Sequence, residues 1–142
     1  MDLTNRRTGK DWERQVRHYL DSRGGVCFKT HDSEHTDFVR MTIDSHGFSV
    51  VEVVEAKTTR GSKFYPFAGA RLKSQWAGYV YQMERIAKSG FPVVVRLVVK
   101  FRRGAHPLYW DKVFAQVSDV PHVISVNDAV KRGEVVEELE KT

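Results

Sequence analysis

The chain is short of several things that other functional classes require. It has one cysteine, Cys27, in 142 residues, so no internal disulfide can form and no thiol cluster can hold zinc. No apolar run approaches the length that spans a bilayer, and the opening segment MDLTNRRTGKDWER lacks the apolar stretch of a secretory signal. A cytoplasmic location is the default expectation. No Gly-x-x-x-x-Gly-Lys loop occurs, which removes support for nucleotide hydrolysis and for a nucleotide cofactor. Asn5 and Asn127 are the only asparagines and lie far from paired histidines, so a His-Asn-His metal motif fits poorly. His31 and His35 near Asp32 have no further ligands at zinc spacing and read as a polar loop. Serine and histidine occur without the third residue of a hydrolase triad.

What is present is positive charge, unevenly spread. The formal net charge is +5 and the isoelectric point about 9.4. The last twelve residues hold three basic and four acidic side chains, so the excess lies in residues 1–130. It clusters at Arg6, Arg7, Lys10, Arg14 and Arg17, at Arg60 and Lys63, at Arg71 and Lys73, and at Lys100, Arg102 and Arg103. Such clusters suit a polyanion whose binding weakens steeply with salt.

Length and an apolar fraction of 41% suit one domain, residues 1–142, with no linker or repeat. Trp12, Val16, Tyr19 and Leu20 recur at helical spacing, predicting a helix over 8–23 capped by Thr8 and ended by Gly24-Gly25. Strands are expected at 26–29, 36–43 and 48–57, the last two joined by the turn Asp44-Ser45-His46-Gly47. A loop over 58–69 leads to a second helix, 70–89, with Leu72, Trp76, Val80, Met83 and Ala87 as its apolar stripe. PVVVRLVVKF, 92–101, reads as a strand covered on both faces. A further strand is expected over 109–117 and a last helix over 128–140, capped by Asn127. The order α-β-β-β-α-β-β-α gives an α/β fold, a central mixed sheet flanked by helices.

The chemistry concentrates on the third strand. Side chains in a strand alternate faces, so Glu55 and Lys57 project together, with Val51 and Val53 behind them. Glu52 falls on the opposite face with Val50, Val54 and Ala56 and is not read as a ligand. Glu55-Ala56-Lys57 is the only Glu-x-Lys in the chain. Asp37 at the end of the preceding strand and Glu13 on the first helix supply further carboxylates. Converging acids with a lysine make a site for a divalent metal and a polarised water, chemistry that cuts phosphodiester bonds.

Glu on helix one, Asp on strand two and Glu-x-Lys on strand three, followed by a helix, resembles the PD-(D/E)xK nuclease superfamily. Within it, the chain is most similar to the archaeal-type Holliday junction resolvases. Gly9 to Val16 is similar to that family's Gly-x-x-x-Glu-Arg helix. Lys29 stands where a basic residue, most often Arg, is usual. Asp37-Phe38-Val39 takes the place of Pro-Asp-Ile, with Thr36 for the proline. Tyr65, Gln75, Val99-Lys100-Phe101 and Trp110 follow at similar spacing. The likeness covers about residues 9–115, and 116–142 form an extension it does not reach.

The resemblance implies a restriction-endonuclease-like core and a four-way-junction substrate, cut to 5′-phosphate and 3′-hydroxyl ends. It implies Mg²⁺, replaceable by Mn²⁺, on Asp37, Glu55 and the Ala56 carbonyl, with Glu13 for a second ion and Lys57 beside the attacking water. Arg6, Arg7, Lys10, Arg14, Lys29, Arg60, Lys63, Tyr65, Lys73 and Gln75 are the candidate DNA contacts. A homodimer is implied, with Trp76, Tyr79 and Phe114 as large apolar candidates for its interface. A different nuclease of this superfamily acting on duplex DNA, or a non-catalytic DNA-binding module, are the alternatives.

Overall fold

A computed structural model of the chain describes residues 3–29, 38–102, 107–133 and 135–136, with side chains from residue 11 onward except at 29, 135 and 136. Two helices sandwich a six-stranded mixed sheet. Helix α1, Leu3–Ser22, leads into β1, Val26–Lys29, β2, Phe38–Ile43, β3, Ser49–Thr59, and the short β4, Lys63–Phe64. Helix α2, Gly69–Lys88, is followed by β5, Val93–Phe101, and β6, Leu108–Phe114. A 3-10 turn, Val117–Asp119, then β7, Ile124–Ser125, α3, Val126–Lys131, and β8, Val135–Val136, complete the described chain. The sheet order is β1-β2-β3-β5-β6-β8, with β4 and β7 forming a separate ladder. Only β3 and β5 run parallel among the described pairs, joined by the α2 crossover. The expected α/β fold, a mixed sheet flanked by helices, is what the chain forms.

The central strands carry apolar residues on both faces because both faces are covered. On one face Trp12, Val16 and Leu20 of α1 pack on Phe38, Val54 and Val98. On the other, Trp76, Tyr79 and Met83 of α2 pack on Val53, Val95, Leu97, Val99 and Phe101. Full burial of each such side chain contributes roughly 1.5–3 kcal/mol. Trp76, Tyr79 and Phe114 are 3%, 2% and 8% exposed, so these three are core residues and not a docking surface. Val80, expected in the buried stripe of α2, is exposed and Tyr79 takes the inward position.

Other boundaries differ from the sequence expectation for local reasons. Helix α1 begins at Leu3, so Thr8 lies inside it and is not its cap. Its end is as expected: Gly24 and Gly25 adopt φ of 97° and 82°, and a Cβ at Gly25 would lie 2.5 Å from the Met41 carbonyl oxygen. Helix α3 spans six residues and stops before Gly133, whose φ of 70° ends it, and Ser125 rather than Asn127 is its N-cap residue. Val135 and Val136 then pair with β6 instead of extending a helix. Val117, Val120, Ile124, Val126 and Ala129 are buried with Trp76 and Trp110, so the core continues past residue 115. Cys27 is half-buried, and burial with a hydrogen bond donated to Asp21 pushes its thiol up to about 12.

Glu52 is the centre of an ion network on the α1 face. Its carboxylate accepts from Arg40 Nη1 at 3.1 Å and from Arg96 Nε and Nη2 at 2.9 and 3.1 Å. Arg96 Nη1 reaches both oxygens of Asp111, at 2.9 and 2.7 Å, and Tyr19 donates to Asp111 at 3.3 Å. Arg40 also donates to the Gly24 carbonyl from Nε and Nη2, tying the end of α1 to the sheet. Burial alone would lower the basicity of Arg96, but the Glu52 hydrogen bond and the Asp111 charge outweigh it and raise its pKa. Burial raises the Asp111 pKa, opposed by Arg96. Removing one partner of such a group strands the others without countercharge. Glu52→Ala is therefore expected to destabilise the fold by about 3–5 kcal/mol, measured by urea denaturation, whereas Arg14→Ala on the exposed face of α1 should change it by less than about 0.5 kcal/mol.

Candidate active site

β3 changes character along its length. Val51, Val53 and Val54 anchor it in the core, and three residues on the α2 face then alternate as Val53, Glu55 and Lys57. Glu55 pairs in the ladder with Leu97 and Lys57 with Val99, both fully buried, so a rigid apolar floor fixes the two charged residues. The Glu55 side chain is 1% exposed and the Lys57 side chain 24%. Lys57 Nζ lies 3.2 Å from Glu55 Oε1 and donates to Gln75 Oε1 at 3.1 Å. Gln75 sits on the inner face of α2, one residue before the buried Trp76. The ammonium is thus held from two sides, by a carboxylate from the strand and an amide from the helix above it. Glu52, on the other face of β3, belongs to the ion network.

Lys57 and Gln75 form one wall of a polar cleft of about 700 Å³. Thr58, Arg60, Ala68, Arg71, Leu72 and Arg102 also line it, and among the described residues no acidic one does. The loop between β3 and α2 is fixed rather than loose. Trp76 Nε1 donates to the Pro66 carbonyl at 2.7 Å, and Phe67 packs between Trp76 and His122 with ring centroids 5.5 and 5.1 Å apart. Lys63 and Phe64 pair with Ser125 and Ile124, and the Val126 amide donates to Ser62 O at 2.8 Å. The loop expected over 58–69 therefore contains a strand whose partner lies in the C-terminal segment.

No family model and no curated protein matches the chain. Among solved structures, Hjc, a Holliday junction resolvase from the archaeal hyperthermophile Archaeoglobus fulgidus, is 15% identical. The alignment covers 92% of this chain and 99% of that one, with a TM-score of 0.41. At that score the likeness adds no weight to the reading of the site, which rests on its own side chains.

Of the sequence candidates, the fold brings Glu55, Lys57 and Gln75 together and sets Arg60 beside them. Asp37 lies outside the described residues, and so do the side chains of Arg6, Arg7, Lys10 and Lys29. Glu13 is half-buried on α1, the helix that covers the face opposite to Glu55 and Lys57. Ala56 turns its side chain toward α1. Arg14, Lys63, Tyr65 and Lys73 are exposed, and none lines the cleft. Arg71 and Arg102 do line it, although the sequence shows them only as members of basic clusters. Their signal was positional: Arg71 precedes Gln75 by one helical turn, and Arg102 follows the Thr59↔Phe101 pair that ends the β3–β5 ladder.

Among the described residues no three His, Cys, Asp or Glu side chains come together. The donors this strand segment offers, a carboxylate and peptide carbonyls, are hard oxygens suited to Mg²⁺ or Mn²⁺ rather than to zinc. Trp76→Phe, which keeps the ring but removes the hydrogen bond to Pro66, is expected to cost about 1–3 kcal/mol. Hydrogen exchange should accelerate selectively over residues 60–68, and protection unchanged there would show that the indole does not hold this wall.

Proposed function

We propose that the chain is a metal-dependent DNA endonuclease that cuts four-way junctions, with a divalent ion held by Asp37, Glu55 and the Ala56 carbonyl. The observation that carries this reading is the Lys57 ammonium, fixed between Glu55 and Gln75 at the mouth of a cleft lined by Arg60, Arg71 and Arg102. The choice of a four-way junction follows the resemblance of Glu13, Asp37 and Glu55-Ala56-Lys57 to the archaeal-type resolvases. A homodimer, giving two matched cuts, follows the same resemblance.

A bound Mg²⁺ would supply Lewis-acid stabilisation of charge on the phosphate oxygens. The protein's own part is positional and electrostatic. Glu55, closed to solvent, offers its oxygens in a fixed direction because the strand beneath it cannot move. Lys57 would stand beside the reacting phosphate, able to orient a water and to offset charge that develops on the oxygens in the transition state. Gln75 accepts one Lys57 proton and so limits the rotamers the ammonium can adopt. Glu13 lies on α1, over the opposite face of the sheet, and is given no part in this step.

A labelled four-way junction incubated with Mg²⁺ should be nicked by the wild-type protein, with paired cuts and 5′-phosphate ends. Glu55→Gln should abolish nicking while junction binding in EDTA stays within about threefold. Wild-type cutting by Glu55→Gln removes the assignment, and faster cutting of linear duplex than of the junction transfers the substrate to duplex DNA. Titration calorimetry should register Mn²⁺ binding to the wild type that is lost in Glu55→Gln. A wild-type protein that takes up no Mn²⁺ is instead a DNA-binding module without catalysis.

A further inference from the structure

The cleft beside Lys57 carries more positive charge than positioning one lysine requires. Arg60, Arg71 and Arg102 come from three places in the chain: the residue after β3, the first turn of α2 and the residue after β5. Among the described residues none of the three forms an ion pair with a carboxylate. Three guanidinium groups without a carboxylate partner among the described residues therefore face one space, beside Lys57, whose charge Glu55 counters. Like charges gathered in a concave, partly enclosed space repel one another and concentrate anions there.

Two further observations point the same way. Helix α2 opens onto this space, since Ala68, Arg71 and Leu72 belong to its cap and first turn. Ala68 caps the helix without a side-chain hydrogen bond, and its first turn holds no acidic residue, so the positive end of the helix is not compensated locally. The Nε of Arg102, a residue of the cleft wall, is closed to water and has no hydrogen-bond partner among the described residues. An oxygen acceptor brought to this guanidinium would complete its bonding.

Size then selects the kind of anion. About 700 Å³ lies within the range that encloses a compact ligand, roughly 300–1,000 Å³, which is room for about one or two nucleotides. It is too small to enclose both strands of a duplex, and the wall formed by residues 60–68 is held by Trp76, β7 and Val126, so it does not simply swing aside. Leu72 and Ala68 add an apolar surface on which a base or sugar can rest.

We infer that this cleft binds a single, unpaired stretch of DNA strand next to the bond being cut, with Arg60, Arg71 and Arg102 on consecutive phosphates. The inference rests on the nuclease reading for its location beside the scissile bond, but not for binding itself. A branch point supplies such a stretch by releasing a nucleotide from its partner strand, whereas intact duplex must first be opened.

The test is fluorescence anisotropy with 5′-labelled tetrathymidylate in EDTA, competed by unlabelled tetrathymidylate or by a blunt twelve-pair duplex at equal phosphate concentration. The expected results are saturable binding of tetrathymidylate and at least a tenfold loss in the Arg71→Gln, Arg102→Gln double variant. The loss should occur with the melting temperature and Mn²⁺ uptake unchanged. The duplex should compete at least fivefold less well. A double variant that binds tetrathymidylate within twofold of wild type overturns the inference, as does duplex competing as well as the single strand. Should the double variant unfold, Arg71→Gln alone, on the exposed helix surface, must still weaken binding at least threefold. A wild-type protein that binds tetrathymidylate in this cleft but never nicks DNA refutes the nuclease reading and leaves the strand-binding site intact.

Discussion

The parallel pairing of β3 with β5 governs the rest of the molecule. Both strands are covered by a helix on each side, so any charge they carry must be matched within the protein or held at the edge of the core. β3 does both. Two-residue alternation sends Glu52 to the α1 face, where two arginines enclose it, and Glu55 to the α2 face, where Lys57 and Gln75 meet it. The two carboxylates are three residues apart and both nearly closed to solvent, at 5% and 1% exposure, yet they have different surroundings. Glu52 is bound by guanidinium groups in a bidentate geometry that fills its lone pairs and fixes the strand stack. Glu55 has an ammonium that is itself part-exposed and shared with an amide at the mouth of an open cleft.

This contrast lies in how completely each acid is countered by charge. An acid enclosed by two arginines has its charge fully countered and little reason to attract a cation. Glu55 is equally closed to solvent, but its partner Lys57 is part-exposed and lines the basic cleft.

Much of this was legible in the sequence because it depended on local periodicity. The 3.6-residue spacing of Trp12, Val16 and Leu20 located the buried face of α1, and strand alternation alone assigned Glu52 and Glu55 to opposite faces. Lys57 and Gln75 were both picked out, and helix α2 brings them together. Long-range pairing was not legible. Two residues of β4 against two of β7 leave no periodic trace, and the polar run 128–140 has helical composition although Gly133 stops the helix within it. The α2 stripe was placed one position off, with Val80 in place of Tyr79, because valine and tyrosine both qualify as apolar and only the tertiary contact decides between them. Arg71 and Arg102 could be seen as charges but not as neighbours, since only the crossover between β3 and β5 puts the first turn of α2 beside the end of β5.

The β4–β7 ladder has a consequence in time. The wall of the cleft at Lys63 and Phe64 finds its hydrogen-bond partners roughly sixty residues later, at Ile124 and Ser125. While the chain is being made, the strand bearing Glu55 and Lys57 emerges long before that wall can close. The charged pair can fold early, but the enclosure around it waits until the segment beyond residue 126 has left the ribosome.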